Sequence, residues 1–386
     1  MKNFFLIPDR YAHYREEVFC LFGKELIQKG YKPYLLIDTR DFLKTGIPSG
    51  DIDKIEKIFT IINLRNIYYK NIVIFQFNLI KNAFKYKPDI LIAWGESHRL
   101  STFLLLILCN LFKKKLVLWS HGFYGNENLL KLYWRKVFYS LSPLILLYGT
   151  RGETLMRKVL PRKKTFVIGN STKLNNYTIN FDNYKDIIKS RTKLMNQYSL
   201  KFKKDTILLS FIGRLTNLKK LEEILHIINF NKEKNFNFWI IGDGPEKKFL
   251  IKKCLDLDIT NRVHFFGGIY SQKEIFSILS VSDVFICPSQ LGLSAATALN
   301  AGLDILTCNS FENHMPETDI LIKNNNITLT NFKDLNLTCK IINKLYKKNS
   351  KDINKRKKNQ SLCYEYFSYK KHVQRIMYIL NDQINF

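Results

Sequence analysis

Short, continuous runs of apolar residues recur along the chain, separated by longer stretches with helical spacing. In the first half these runs are FFLIP (4–8), YLLID (34–38), DILIAW (89–94), KLVLWS (115–120), LILLYG (144–149) and TFVIG (165–169). A helical stretch from about Tyr14 to Lys29, stopped by Gly30, follows the first of them. Apolar strands with no polar alternation, separated by helices, predict a parallel sheet covered on both faces.

The rhythm lapses between 171 and 204, where Asn, Lys and Thr dominate, and this segment is expected to be a linker. It resumes with ILLSFIG (207–213), FWIIG (238–242), VHFFG (263–267), DVFIC (283–287) and DILT (304–307). Leu218, Leu221, Leu225 and Ile228 share one face of an expected helix with Thr216 as its N-cap, and Pro245 is expected to open the next. The chain closes with EYFSYKKHVQRIMYIL, an amphipathic pattern. The fold class is therefore α/β, with two doubly wound, Rossmann-like halves, 1–170 and 205–364. Ligands of such sheets bind beyond the carboxyl ends of the strands, so a cleft between the halves is the expected site.

The 386 residues suffice for two domains. Lys and Arg total 61 against 33 acidic residues, a formal net charge of +28 that favours anionic partners. The excess is spread over both halves and lacks interleaved aromatic recognition motifs, which argues against nucleic acid. The seven cysteines are scattered and form no CxxC pair, so neither a disulfide framework nor a zinc site is expected. The longest apolar run, FLLLILCNLF (103–112), is half the ~20 residues a membrane span requires. A buried helix is the expectation, although Lys113, Lys114 and Lys115 equip the same stretch for an anionic membrane surface.

Four segments carry candidate chemistry. In FIGRLTNLKK, Arg214 and Lys219 follow a strand, and a planar fork beside a point charge suits a diphosphate; two solvated cations are the plain alternative. In IGDGP, Gly242, Asp243 and Gly244 form a strand-to-helix turn that either admits a ligand closely or merely turns the chain. In PSQLGLSAATALNAGLDILT, Gly292 and Leu293 lead into a small-residue helix that Ser294 is expected to cap, with Thr297 within it and Gly302 at its end. The first-turn amides offer an anion site, or the small residues serve tight packing. In WSHG, His121 stands at the carboxyl end of a strand, where a histidine is functional more often than elsewhere.

In order and content these segments resemble glycosyltransferase family 4, which has the GT-B fold. GRLTNLKK, WIIGDGPEKKFL, VHFFGGI, SDVFICPS and GLSAATALNAGLDILT follow one another as in that family. The resemblance is clearest over residues 205–320. It implies a retaining transfer of a hexose-type sugar from a UDP- or GDP-sugar, without a metal or other cofactor. The acceptor it implies is a glycan or lipid-linked molecule of bacterial surface polysaccharide synthesis (capsule or lipopolysaccharide). It implies that Arg214 and Lys219 clamp the diphosphate, that His121 meets the donor sugar, and that Glu317 in HMPE faces the donor. It also implies that residues 365–386 cross back to the acceptor-binding first domain. The chain departs from the pattern where the family carries two glutamates: Ser289 and Thr297 stand there. A non-catalytic nucleotide-sugar or polysaccharide binder is the alternative this departure motivates. Asp51 and Asp53 are not expected to hold a metal. The expected location is the cytoplasm, including the inner face of its membrane.

Overall fold

The computed structural model describes residues 1–40, 48–70, 72–174, 177–200, 206–231, 236–310 and 314–384. The chain divides into two compact units, Met1–Lys173 with Ser368–Phe386, and Leu174–Phe367.

The first unit contains β1 (Lys2–Ile7), β2 (Tyr31–Ile37), β3 (Thr60–Asn63), β4 (Arg65–Tyr69), β5 (Ile72–Phe77), β6 (Ile90–Trp94), β7 (Lys115–Ser120), β8 (Ile145–Leu147) and β9 (Thr165–Val167). Seven of them form a parallel sheet in the order β3-β2-β1-β6-β7-β8-β9. Along β1, Phe4 and Leu6 enter one hydrophobic cluster while Phe5 and Ile7 enter another. Both faces of the sheet are thus buried, which is why the strands read as unbroken apolar runs. The final helix, Tyr369–Ile384, packs in this unit against the helix Glu16–Gln28. His372 on it is fully buried, edge-on to Trp119, with Nδ1 2.6 Å from Ser171 Oγ.

The second unit contains β10 (Ile207–Ile212), β11 (Phe236–Ile241), β12 (Val263–Gly267), β13 (Val284–Cys287), β14 (Asp304–Cys308) and β15 (Thr328–Thr330). They form a parallel sheet in the order β12-β11-β10-β13-β14-β15.

Several local expectations are corrected. Residues 171–204, expected as a linker, hold the helix Tyr184–Gln197 within the second unit. Asn183 caps it by accepting from the amides of Lys185 and Asp186. Its buried stripe is Ile187, Arg191 and Met195, with a charged residue at its centre. The helix after Arg214 begins at Glu222, not at Thr216, because residues 217–219 form a 3-10 turn that leaves Leu218 60% exposed. The helix after Gly244 begins at Lys247, with Pro245 in the preceding turn. The helix Leu100–Leu111 is not buried all round: Leu104, Ile107, Leu111 and Phe112 are exposed. Asp51 is the N-cap of a short helix, accepting from the Lys54 amide. The antiparallel hairpin β4–β5 was not legible because Arg, Asn and Tyr interrupt it.

A buried polar network fixes the helix Tyr184–Gln197 to the second sheet. Arg191 Nη2 lies 2.9 Å from Asp283 Oδ1, with both side chains at or below 1% exposure. The same guanidinium donates from Nε and Nη2 to the Val281 carbonyl. Asp283 in turn accepts from the Leu208 amide at 2.8 Å and from the Tyr184 hydroxyl at 2.9 Å. Arg191→Ala leaves Asp283 charged and buried without its cation, a change that costs about 3–5 kcal/mol. Urea unfolding of this variant is expected to show a loss of that size, and a loss below about 1 kcal/mol contradicts the account.

Candidate functional site

In the second unit the strand order reverses between β10 and β13, the topological switch point where doubly wound sheets bind ligands. Arg214 and Lys219 leave the end of β10, and residues 289–293 leave the end of β13. Lys219 joins the two loops: its Nζ donates to the Gln290 carbonyl at 2.5 Å. Arg214 is exposed at the rim.

Gly242 and Gly244 hold this rim in place. The loop of Arg214 and the loop of Asp243 are bonded backbone to backbone, Gly213 N to Ile241 O at 3.0 Å, Leu215 N to Asp243 O at 2.9 Å and Glu246 N to Leu215 O at 3.1 Å. A Cβ on Gly242 would lie 2.0 Å from the Gly213 oxygen, and one on Gly244 2.2 Å from the Leu215 oxygen. The space a side chain would fill is taken by protein backbone, so the first duty of these glycines is to pack two loops together. Asp243 is exposed and paired with Lys247 at 2.7 Å. That bond, with the Gly244 amide, holds its carboxyl below the ordinary range.

The small-residue helix runs from Ser294 to Asn300, capped by Leu293, so Ser294 is its first residue instead of its cap. The amides of Ala295 and Ala296 bond back to the carbonyls of Gly292 and Leu293 at 2.9 and 3.0 Å. Among the described residues, the amides of Gly292, Leu293 and Ser294 have no acceptor. The free donors are therefore those of residues 292–294, at the start of the helix. Thr297 is half-buried on this helix and Ser289 is buried at the loop's start. Gly302 ends the helix with φ +78.

Glu317 is buried in the turn Pro316–Thr318. Its segment is brought to the same loop by the Met315 amide, which donates to Leu291 O at 2.9 Å. Sequence reasoning passed over His314 in the same HMPE stretch. It is buried, its Nε2 lies 2.9 Å from the Cys308 carbonyl, and burial followed by the nearby Lys219 charge pushes its pKa down. The structure thus gathers Lys219, Gly292, Leu293, Ser294 and Glu317, and backbone bonds hold Arg214 to Gly242–Gly244. A cavity of about 860 Å3 between the helices Glu222–Phe230 and Lys247–Asp256 is lined by neither Arg214 nor Lys219.

His121 belongs to the first unit, just beyond β7. It lines a cavity of about 170 Å3 with Asp9, Arg15, Glu96, Arg99 and Tyr148, which follow or end the neighbouring strands β1, β6 and β8. Its ring lies 4.4 Å from that of Tyr148. Burial, aided by Arg15 and Arg135, lowers its pKa to about 4, so the imidazole is neutral at physiological pH. Burial in the same place raises the Glu96 carboxyl.

Residues 193–360 match the family model of glycosyl transferases group 1. A stretch of 102 residues is 26% identical to 2-deoxystreptamine glucosyltransferase of Streptomyces kanamyceticus, and it spans 25% of this chain and 26% of that relative's length. Among solved structures, HepE of Anabaena in complex with UDP has a TM-score of 0.67 and 16% identity, covering 99% of this chain and 100% of that one. A glycosyltransferase from Rickettsia africae has 0.64 and 15%, covering 99% and 98%. The lipopolysaccharide outer core galactosyltransferase WaaB has 0.63 and 11%, covering 100% and 99%. The fold is GT-B, and with the family match in its second unit it supports a glycosyltransferase.

Proposed function

We propose that the chain transfers a hexose-type sugar, with retention, from a UDP- or GDP-sugar to a glycan or lipid-linked acceptor of bacterial surface polysaccharide synthesis. The observation that carries this reading is the Lys219–Gln290 bond. It joins an ammonium on the loop that presents Arg214 to the β13 loop at Gln290, two residues before the amides of 292–294 that have no acceptor among the described residues. HepE, with the same fold, has been solved with UDP and with UDP-glucose. WaaB, named as a galactosyltransferase of lipopolysaccharide, supports the class of acceptor.

Cleaving a glycosyl–phosphate bond builds negative charge on the departing diphosphate. Fixed positive groups at those oxygens lower the barrier because their attraction grows as the bond breaks. Arg214 and Lys219 take that role, with the amides of Gly292, Leu293 and Ser294 beside them. Gly242 and Gly244 set the position of Arg214, and Thr297 and Glu317 flank the donor. No metal is assigned to the reaction. His121, neutral at physiological pH, orients the sugar by hydrogen bonding and does not act as a proton donor. Ser289 and Thr297 replace carboxylates, so a binder without turnover is the competing reading. Release of nucleotide from a donor panel separates the two.

Membrane docking belongs to the same proposal. Leu104, Ile107, Leu111 and Phe112 present an exposed apolar face, continued by the exposed Lys113, Lys114 and Lys115. Grease flanked by ammonium groups fits an anionic bilayer surface. Among the described residues no helix is long and apolar enough to cross a membrane.

A thermal-shift screen of UDP- and GDP-sugars identifies the donor, since a ligand bound only by the native state raises the melting point. With that donor, Arg214→Ala is expected to lose about 10²–10³ in transfer rate at an unchanged melting temperature. Full activity in this variant removes the diphosphate assignment. The pH profile of kcat is expected to lack a limb from His121 between about pH 5 and 8, and a limb there that disappears in His121→Asn overturns the positioning role. Anionic vesicles are expected to co-sediment the wild-type chain but not the Lys113→Glu, Lys114→Glu, Lys115→Glu variant. Equal binding of the two, or indifference to lipid charge, defeats the docking proposal.

A further inference from the structure

The cavity beside His121 holds more positive charge than its own residues neutralise. Three guanidiniums, Arg10, Arg15 and Arg99, share its lining with two carboxyl groups, Asp9 and Glu96. Asp9 is engaged by Arg10 at 3.5 Å and by Arg99 at 3.6 Å, both through Oδ2. One carboxylate thus serves two cations, and burial biases the other, Glu96, toward its neutral form.

Arg99 is the most telling group. Its side chain is 2% exposed, and among the described residues its Nε and Nη1 have no hydrogen-bond partner. A buried donor left unmet costs about 1–3 kcal/mol, more when it is charged. Arg15 repeats the pattern: Nη2 donates to the Tyr148 hydroxyl at 2.9 Å, while buried Nη1 has no partner among the described residues. The Arg15 guanidinium is held over the rings of Tyr148, Trp94 and Trp119, 5.5 to 5.8 Å from their centroids, so its direction is fixed by stacking. The order of the sheet reverses between β1 and β6, and the residues of this cavity follow those two strands and their neighbours β7 and β8.

We propose that this cavity is an oxyanion subsite, in which Arg99 and Arg15 grip a phosphate ester or carboxylate carried by the acceptor. The inference rests on the glycosyltransferase reading for the word acceptor, but not for the site itself. Forked donors suit both oxyanions, since each offers paired oxygens to a planar guanidinium. The volume admits one such group with little of the molecule that bears it, so the rest of the acceptor lies outside the cavity.

The test uses the full chain with Arg214→Ala and Lys219→Ala, so that anion binding in the second unit does not mask the signal. Glycerol 1-phosphate, glucuronate, and neutral glycerol and glucose are titrated, with tryptophan emission and melting temperature as readouts. Trp94 and Trp119 stack at 4.7 Å beside Arg15 and report occupancy locally. Saturable binding of one or both anions, without binding of the neutral compounds, is expected, and the anion that binds identifies the acceptor group. Adding Arg99→Gln is expected to weaken that binding about tenfold or more, the loss that goes with a charge-assisted hydrogen bond. Arg15→Gln gives the same result if Arg99→Gln fails to fold. Equal binding of neutral sugars, or undiminished anion binding in a folded arginine variant, overturns the proposal. UDP binding by Arg99→Gln in the otherwise wild-type chain keeps the two readings apart. Retained UDP binding with lost anion binding supports the subsite, whereas anion binding without binding of either UDP or GDP in the wild-type chain defeats the donor reading alone.

Discussion

A parallel sheet buried on both faces has no room for charge along its strands, and this constraint organises both units. Phe4, Leu6, Phe5 and Ile7 divide between two clusters, and every residue of β6 is buried. Charged groups are therefore displaced to the strand ends, where backbone geometry dictates which of them meet. In each unit the candidate chemistry collects where strand order reverses, between β1 and β6 and between β10 and β13. The buried cations that do occur away from these ends are closed off by acceptors. Arg191 is bonded to Asp283 and Val281, and Arg356 donates to the carbonyls of Ser280 and Ser282 at 3.0 and 2.6 Å. Arg99 and Arg15 differ because their shells are incomplete.

What could be seen in the sequence follows from the same constraint. Central strands such as β6 and β13 announce themselves as apolar runs because nothing polar interrupts them. Edge strands β3 and β15 are short and half-solvated, and neither they nor the hairpin β4–β5 stand out. The helix Tyr184–Gln197 did not stand out for a different reason: an arginine stands at the centre of its buried stripe, between Ile187 and Met195. Leu218 carried the right spacing but the wrong geometry, because the 3-10 turn at 217–219 rotates it into solvent. His121 could be singled out by its place after a strand. Arg15 and Arg99 could not, since nothing distinguishes one arginine from another in a basic chain until β1 and β6 become neighbours. His314 lay within a quoted motif, but its burial beside Lys219 depends on a contact between distant loops.

The glycines show how one motif supports two physical accounts. A glycine-rich turn before a helix suggests a backbone opened to a phosphate, yet Gly242 and Gly244 are closed by the oxygens of Gly213 and Leu215. Their effect on a ligand is indirect, since they fix the loop from which Arg214 projects. Placement of a charge to within a fraction of an ångström is what separates binding from transition-state stabilisation. A packed backbone holds such a position better than a flexible loop.

The absent glutamates bear on the same balance. A carboxylate near Lys219 would claim part of its charge, whereas the Gln290 carbonyl orients the ammonium without neutralising it. Ser289 and Thr297 are small and uncharged, so they add no negative field at the β13 loop. On the proposed reading, loss of the acids removes contacts to the sugar and ribose but leaves Arg214 and Lys219 with less competition for the diphosphate. On that reading, the departure from the family pattern bears on selection of the sugar more than on the grip on the leaving group.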